Sequence, residues 1–260
     1  MHIRTFPSPN TAASAAANLV ADALATLATT VLALPTGSTP VPLYRALVAR
    51  HREGRADFSR ATAFSMDELL GLAPDHPGSY QTYLRHHLLQ HVNLAPERIH
   101  LIRGNADDWR SEVVRIERQL GEVGGLDLAV VGIGMNGHVA FNEPAPALVA
   151  RTHRVRLASS SRRAHAGPFG HRWQNVPTHA LSMGIGTILS ARRVLLVATG
   201  AHKADIVRRA LMGPVTTRVP ASLLQVHPHL DVVLDKAAAA KLSATPPRVS
   251  RHRRPARVAD

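Results

Sequence analysis

The strongest candidate for chemistry in this sequence is a glycine-rich loop at residues 132–138 (GIGMNGH), which directly follows an apolar run. Its glycines let the backbone come close to a ligand, and His138 is expected at the open end of a strand. Imidazole titrates near neutral pH and shuttles protons, and Glu143, five residues further on, is placed to orient it. A lone histidine is more often structural, but the context of this loop favours catalysis.

A second loop consists of Thr36, Gly37, Ser38 and Thr39, between an apolar run and a predicted helix. Its main-chain N–H groups, its hydroxyls and the helix dipole are suited to hold an anion such as phosphate. An ordinary strand-to-helix turn explains the same residues. The loop lacks the lysine of a Walker motif and the G-x-G-x-x-G pattern, so nucleotide binding is not predicted.

Two adjacent carboxyl groups, Asp67 and Glu68, follow another apolar run. Since neighbouring residues on an extended chain point in opposite directions, only one of the two is expected to face a site. A carboxylate at that position can abstract a carbon-bound proton. Two solvated loop acids are the competing interpretation.

Lysine is scarce in this chain, because 31 residues are Lys or Arg but only Lys203, Lys236 and Lys241 are lysines. Lys203 follows a Thr-Gly pair at the start of a predicted helix, where a cation helps to hold an anion; a plain surface lysine is the alternative.

The net charge of +13 is spread along an arginine-biased chain, and aromatic residues make up 4%. We therefore predict no nucleic-acid partner.

Metal binding has little support in the sequence. His87 and His91 would share one face of a helix, but no carboxylate completes a recognisable ligand set. The chain has no cysteine, which excludes disulfides, a thiolate metal site and a cysteine nucleophile. The missing disulfides fit a reducing cytosol.

Short apolar runs alternate with amphipathic segments along the chain. This alternation predicts an α/β fold with a doubly wound, mostly parallel central sheet and helices on both faces, Rossmann-like in type. Ligands in such folds bind beyond the carboxyl ends of the strands, where the three loops lie. The predicted strands are residues 30–34, 61–65, 99–102, 126–131, 193–198 and 230–234; the predicted helices are one capped by Asn10, then 41–52, 79–92, one starting after Asp107 or Asp108, and 203–212.

One domain is predicted for residues 1–242, because the chain shows no repeat and no central linker. Residues 145–176, rich in Arg, Ser and His, are expected to form a lid, and residues 243–260 a disordered basic Pro/Arg-rich tail. Asn18 and Asp22 interrupt the alanine-rich N-terminal stretch, so neither a membrane span nor an export signal is predicted.

Taken in order, these loops resemble the glucosamine-6-phosphate deaminase (isomerase) family, whose fold the 6-phosphogluconolactonases share. The FNEP sequence at residues 141–144 is similar to the deaminases rather than to the lactonases. The resemblance extends over almost the whole chain. Its main motifs are LPTGSTPVPLYRAL at 34–47, MDE at 66–68, GIGMNGHVAFNEP at 132–144 and TGAHKA at 199–204.

The resemblance implies a reaction and a role for each site residue. Glucosamine 6-phosphate would isomerise through an enolamine and lose ammonia by hydrolysis to give fructose 6-phosphate, with no metal or organic cofactor. Asp67 would take the C2 proton, and His138 would assist ring opening with support from Glu143 and Asn136. The enzyme would be cytoplasmic, with a homo-oligomer left open. The implied substrate-binding residues are Thr36, Gly37, Ser38, Thr39, Gly137 and Lys203.

Three positions depart from the family pattern. Asn136 stands where some members have Asp, and an amide gives the histidine less negative charge than a carboxylate does. Sixteen residues after Arg151, where members place an arginine that grips the phosphate, this chain has Gly167. Residues 146–147 (Pro-Ala) replace the serine pair of allosteric members, so activation by N-acetylglucosamine 6-phosphate is not expected.

Two further functions stay open at this level. The same fold acting on a different sugar phosphate would account for Gly167; otherwise Arg162, Arg163 or Arg172 would have to replace the missing arginine. A catalytically weak sugar-phosphate sensor is the other alternative. Such sensors carry a DNA-binding domain ahead of this fold, and about 30 residues before the first predicted strand are too few for one.

Overall fold

The computed structural model describes residues 1–242, so the predicted tail at 243–260 lies outside the described residues. Apolar runs form the inner strands, and helices form most of the segments between them. The strands, in chain order, are β1 (His2–Phe6), β2 (Thr30–Leu34), β3 (Ala61–Ser65), β4 (Asp67–Leu69), β5 (Ile99–His100), β6 (Leu128–Val131), β7 (His153–Arg156), β8 (His179–Ser182), β9 (Arg193–Ala198) and β10 (Leu230–Asp235). The α-helices are α1 (Pro9–Thr26), α2 (Val41–Arg52), α3 (Tyr80–His87), α4 (Trp109–Glu122), α5 (Ser159–Ala164), α6 (Ile185–Leu189), α7 (Ala204–Met212) and α8 (Lys236–Ala239).

Seven strands form a parallel central sheet in the order β1-β10-β9-β6-β2-β3-β5. The chain winds outward from β2 in one direction through β3 and β5, and in the other through β6, β9 and β10. The strand order therefore switches between β2 and β6, and a crevice opens at that point beyond their carboxyl ends. The predicted doubly wound, Rossmann-like α/β fold is confirmed.

Both faces of the central sheet are covered, which explains why its inner strands are mostly apolar. Leu32 and Leu34 of β2 face the core shared with α1 and α2, whereas Val31 and Ala33 face the core shared with α6 and α7. All five residues of β2 are buried, as are all five of β3. Strands buried on both sides read as continuous apolar runs rather than as alternating patterns.

The first helix starts earlier than predicted. Ser8, not Asn10, is the N-cap. Its hydroxyl accepts a hydrogen bond from the Thr11 N–H, and the Thr11 hydroxyl accepts one from the Ser8 N–H. Pro9 occupies the first helical position. The prediction from Asn10 was wrong because a capping box with proline at the first turn fixes the start more strongly than a lone asparagine. Strand β1, which precedes this helix and pairs with β10, was not predicted.

A small antiparallel sheet, β4-β8-β7, is the largest feature that the sequence pattern missed. Strand β4 begins two residues after β3 ends, separated by Met66, whose carbonyl accepts a 2.6 Å hydrogen bond from the Met183 N–H. The interpretation of Asp67 and Glu68 as solvated loop acids was wrong, since both side chains are buried in this sheet. Three-residue strands carry too little periodicity to be recognised locally.

The remaining boundaries differ little from the predictions. The helix predicted for residues 79–92 ends at His87 and continues as a 3₁₀ turn, and Asp108 is the N-cap of α4.

Residues 145–176 contain β7, α5 and two 3₁₀ turns; their action as a lid stays a prediction, as does the single-domain assignment. Within residues 1–242 no helix combines the length and the hydropathy needed to cross a membrane.

Candidate active site

The loop after β2 is held in place by two tyrosines. Tyr44 donates a 2.5 Å hydrogen bond to the Pro35 carbonyl, and Tyr83 donates a 2.6 Å bond to the Gly37 carbonyl. Gly37 has φ of +97°, a left-handed conformation that suits glycine and lets the chain turn into α2. Because α2 begins at Val41, its N-terminus points its partial positive charge at this loop. The arrangement is suited to an anion.

Asp67, the first residue of β4, lines the crevice beside this loop. Its side chain is 6% exposed and accepts one long hydrogen bond, 3.5 Å from Thr36 Oγ1. Burial, followed by the negative charge of Glu68, raises the pKa of Asp67 to about 7, against a small opposing effect of Thr36. A carboxyl group in this state takes up or releases a proton at neutral pH.

Glu68 points away from the crevice, so Asp67 alone of the pair lines it. Its carboxylate accepts from the Ser79 hydroxyl at 2.8 Å and from main-chain N–H groups of Leu69, Tyr80 and Gln81. These bonds join β4 to the start of α3 and leave Glu68 no free oxygen for a ligand. Burial raises its pKa, and the four donors oppose that rise.

His138 ends the loop after β6 and reaches the same crevice. Its main-chain groups are fixed at both ends, since its N–H donates to Asn136 Oδ1 at 3.2 Å and its carbonyl accepts from the Gly134 N–H at 2.9 Å. A Cβ on Gly134 would lie 2.3 Å from the imidazole ring. Glycine at position 134 is therefore required by the position of the His138 ring.

Glu143 lies behind the imidazole, with its Oε2 3.6 Å from His138 Nδ1. The carboxylate accepts 2.6 Å and 2.5 Å hydrogen bonds from Asn136 Nδ2 and Ser161 Oγ, and a third from the Ala158 N–H. Burial alone would raise the pKa of Glu143, but His138, Ser161 and Asn136 together lower it to about 2. Glu143 is thus an anion 3.6 Å from Nδ1 of the imidazole, which favours a proton on Nδ1 and leaves Nε2 as the other ring nitrogen for a ligand.

Lys203 approaches from the turn before α7, and its ammonium donates a 2.7 Å hydrogen bond to the Ile133 carbonyl. Burial lowers its pKa from the ordinary value. Among residues 1–242, Lys203 is the one lysine or arginine that lines the crevice. An anion bound here would therefore meet one cation, the hydroxyls of the loop after β2 and a helix N-terminus.

The resulting pocket has a volume of about 210 Å³ and lies at the switch point between β2 and β6. It brings together most of the predicted residues from four separate stretches of chain, together with Met66, Phe141 and residues of α5. The predicted residues that line it are Thr36, Gly37, Ser38, Thr39, Asp67, Asn136, His138 and Lys203.

Gly137 is the predicted binding residue that the structure does not bring to the pocket. It has φ of +92°, its N–H is bonded to the Gly134 carbonyl, and a Cβ would meet Val219 at 2.9 Å. Gly137 is needed for the turn and for close packing, and its binding of a ligand stays a prediction. Glu143 also does not line the pocket; it contacts His138, which does.

Ser161 and His165, both on or next to α5, line the pocket and were missed by the sequence reasoning. They lie in the irregular Arg/Ser/His segment, where spacing gives no sign of which side chains turn inward. The arginines of that segment do not line the pocket: Arg162 donates to the Val176 carbonyl, and Arg163 lies 4.9 Å over the Trp173 ring. No group of three or more His, Asp or Glu side chains within residues 1–242 is arranged to bind a metal.

Comparison with known proteins places this geometry in a family. Residues 8–233 match the family described as glucosamine-6-phosphate isomerases/6-phosphogluconolactonase. A protein named glucosamine-6-phosphate deaminase 2 from Giardia intestinalis is 43% identical over 236 residues, 91% of this chain and 90% of its own. Its namesake from Bacillus subtilis strain 168 is 43% identical over 215 residues, 82% of this chain and 86% of its own.

Solved structures agree with that match. A structure described as a monomeric glucosamine-6-phosphate deaminase is 37% identical, with a TM-score of 0.89, and covers 93% of this chain and 100% of its own. A 6-phosphogluconolactonase from Trypanosoma cruzi has the same fold at 18% identity, with a TM-score of 0.73 over 93% of this chain and 97% of its own. The chain therefore belongs to the glucosamine-6-phosphate isomerase/6-phosphogluconolactonase family.

Proposed function

We propose that this protein converts glucosamine 6-phosphate and water into fructose 6-phosphate and ammonia. The observation that carries the proposal is Asp67, a buried carboxyl group with a pKa of about 7 in the same pocket as the His138 imidazole and an anion-binding loop. The deaminase relatives, identical at about two residues in five over most of both chains, support the same reaction.

The phosphate binds at the loop after β2 in this proposal. Thr36, Gly37, Ser38 and Thr39 supply hydroxyl and main-chain donors at the α2 N-terminus, and Lys203 supplies a positive charge. Fixing the substrate by a group remote from the reacting carbons holds C1 and C2 against the proton-transferring residues. Such positioning converts binding energy into rate.

Ring opening is the task assigned to His138. With the Glu143 carboxylate 3.6 Å from Nδ1, Nε2 is the ring nitrogen that passes a proton between the C1 hydroxyl and the ring oxygen. Asn136 orients Glu143 through its amide and His138 through its carbonyl oxygen. Because position 136 carries an amide where some family members have a carboxylate, Glu143 is the anion next to His138.

Isomerisation is the task assigned to Asp67. Its carboxylate takes the proton from C2 of the open-chain sugar, which gives an enolamine, and returns a proton to C1. The product is the imine of fructose 6-phosphate, and water adds at C2 and expels ammonia. A pKa near the working pH suits a group that must accept and then donate a proton.

The test of the function is turnover. Purified protein is supplied with glucosamine 6-phosphate, and ammonia and fructose 6-phosphate are measured together; we expect them in equal amounts. Glucosamine, mannosamine 6-phosphate and 6-phosphogluconolactone serve as comparison substrates. Folded protein that produces no ammonia at millimolar glucosamine 6-phosphate contradicts the proposal, and faster turnover of another phosphate identifies the second candidate, the same fold with a different substrate.

The setting of the reaction is proposed on the same grounds. We propose a cytoplasmic enzyme whose partner is a small amino-sugar phosphate rather than nucleic acid. Self-association is left open, and the oligomeric state is measured by light scattering on the purified chain. Cell fractionation measures the location.

A further inference from the structure

His165 is a pocket histidine to which the reaction above gives no task. It follows the last residue of α5 and lines the pocket on the side of the irregular segment. Two aromatic neighbours hold the ring: the Tyr80 hydroxyl lies 2.9 Å from Nδ1, and the Phe141 ring centroid lies 5.5 Å away. Its ring position is therefore fixed by packing and by one hydrogen bond.

The proton on this imidazole can be assigned from its partner. Tyr80 is buried, and burial raises the pKa of its phenol well above the ordinary value, so the hydroxyl keeps its proton. A buried hydroxyl needs an acceptor, and His165 Nδ1 lies 2.9 Å from the Tyr80 oxygen, with the Thr36 hydroxyl as a second hydrogen-bonding neighbour of the tyrosine. If Tyr80 donates to Nδ1, the imidazole carries its proton on Nε2.

The ring is neutral at physiological pH. Burial, then repulsion from His138, lowers the pKa of His165 to about 4, with an opposing contribution from Glu143 and a further lowering by Lys203. No group within residues 1–242 forms a hydrogen bond with Nε2. His165 therefore offers the pocket an N–H donor without adding a charge.

The neighbouring polar groups of this segment have other partners. Ser161 donates to Glu143 at 2.5 Å, and Arg162 and Arg163 are held at the Val176 carbonyl and the Trp173 ring. Position 167 is a glycine. His165 is thus the half-buried ring of this segment that lines the pocket, and the charge of Lys203 contributes to lowering its pKa.

We propose that His165 is a substrate-binding residue, which donates a hydrogen bond from Nε2 to the phosphate of the sugar phosphate opposite Lys203. The assignment of the phosphate rests on the proposed function. Tyr80 is its positioning residue, because the tyrosine hydroxyl sets which ring nitrogen carries the proton. The phosphate is then bound by one cation and one neutral imidazole instead of by two cations.

The test compares two replacements that keep different parts of the imidazole. His165→Gln keeps an N–H near the position of Nε2, whereas His165→Asn keeps a polar group near Nδ1 and loses the donor to the pocket. The dissociation constant of inorganic phosphate is measured by calorimetry, and KM and kcat are measured with glucosamine 6-phosphate. His171→Asn, an exposed histidine of the same segment, is the matched control.

We expect His165→Asn to raise both KM and the phosphate dissociation constant by about tenfold to a hundredfold, the range for a hydrogen bond to a charged group, with kcat within a few-fold. His165→Gln should retain most of the affinity, and His171→Asn all of it. Equal losses in the Asn and Gln variants overturn the proposal. So does a raised KM with unchanged phosphate affinity, which would assign His165 to a sugar hydroxyl.

Tyr80→Phe keeps the ring that packs on Phe141 and removes the hydroxyl. We expect it to weaken phosphate binding by about two- to tenfold. If His165→Asn does not fold, unchanged phosphate affinity in Tyr80→Phe overturns the proposal by itself. If the wild-type chain binds phosphate but does not release ammonia, the proposed function fails while the calorimetry still decides the role of His165.

Discussion

Asp67 is a buried carboxyl group that lines the pocket, Glu143 is a half-buried one behind His138, and their protonation differs. Asp67 accepts a single 3.5 Å bond and has a pKa of about 7, whereas Glu143 accepts bonds of 2.5, 2.6 and 3.2 Å beside an imidazole and has a pKa of about 2. Burial is common to both. The number and the charge of the neighbouring donors therefore decide which carboxyl moves a proton and which stays an anion.

Asp67→Asn removes the carboxyl group that exchanges a proton and leaves Glu143 unchanged. We expect kcat to fall by about 10²- to 10⁴-fold, the usual contribution of a general base, with little change in substrate-analogue binding. Ammonia release measures the loss, and the exposed Asp22→Asn variant is the control. An active Asp67→Asn enzyme would refute the assignment of Asp67 as the base.

The same variant reports on stability. Because the folded-state pKa of Asp67 is raised, the unfolded chain releases this proton between about pH 4 and pH 7 while the folded protein keeps it. Stability is therefore lost as pH rises through that window. Asp67→Asn should raise Tm more at pH 8 than at pH 4; an equal shift at both values contradicts the raised pKa.

The pH dependence of kcat/KM separates the two carboxyl groups without mutation. Asp67 must be ionised to accept the C2 proton, so kcat/KM should fall about tenfold per unit below pH 7, reaching about a hundredfold at pH 5. Glu143 stays ionised throughout this range. Initial rates from pH 5 to pH 9 measure the profile, and a kcat/KM that stays constant down to pH 5 would show that Asp67 has an ordinary pKa.

Glu143→Gln removes the carboxylate that stays charged and leaves Asp67 unchanged. The amide removes the negative charge beside His138 and places an NH₂ group against the Asn136 or Ser161 donors. We expect kcat to fall by about ten- to a hundredfold, the effect of losing hydrogen bonds to a charged acceptor. Glu97→Gln, on an exposed turn, is the control, and matching rates for the two variants would exclude the proposed role.

Ser161→Ala should produce the smallest effect. The serine hydroxyl lies 2.5 Å from Glu143 and 3.4 Å from His138 Nδ1, so its loss removes one of three donors to the carboxylate. We expect kcat to fall by about two- to tenfold, with Ser159→Ala on the same helix unchanged. A loss as large as that in Glu143→Gln would mean that Ser161, and not the carboxylate, positions the imidazole.

The parallel sheet and the loops at its strand ends were largely predictable, because each depends on residues adjacent in sequence. Strands β2, β3 and β9 have the predicted bounds, and their buried faces follow from continuous apolar runs. The antiparallel sheet was not predictable in this way. Its strands have three or four residues each; β4 pairs with β8 across more than 110 positions of sequence, and β7 pairs with β8 across 23 to 29 positions.

The residues of the candidate site also fall into two groups, those predictable from adjacent residues and those that were not. Thr36, Asp67, His138 and Lys203 stand at strand ends, and parallel strands bring those ends to one edge of a sheet. Ser161 and His165 come from a segment without periodicity, and Gly137 was assigned to the ligand because glycine can serve either a turn or a close approach. Local sequence does not separate those two uses.

By itself, the sequence determined the alternation of strands and helices, the order of the loops and the residue types available for proton transfer, since these follow from local polarity and spacing. Only the tertiary structure decided that Asp67 faces the pocket and Glu68 does not. It also decided that Glu143 keeps its charge while Asp67 exchanges a proton. Both depend on burial and on donors brought from distant residues, and those contacts exist only once the chain is folded.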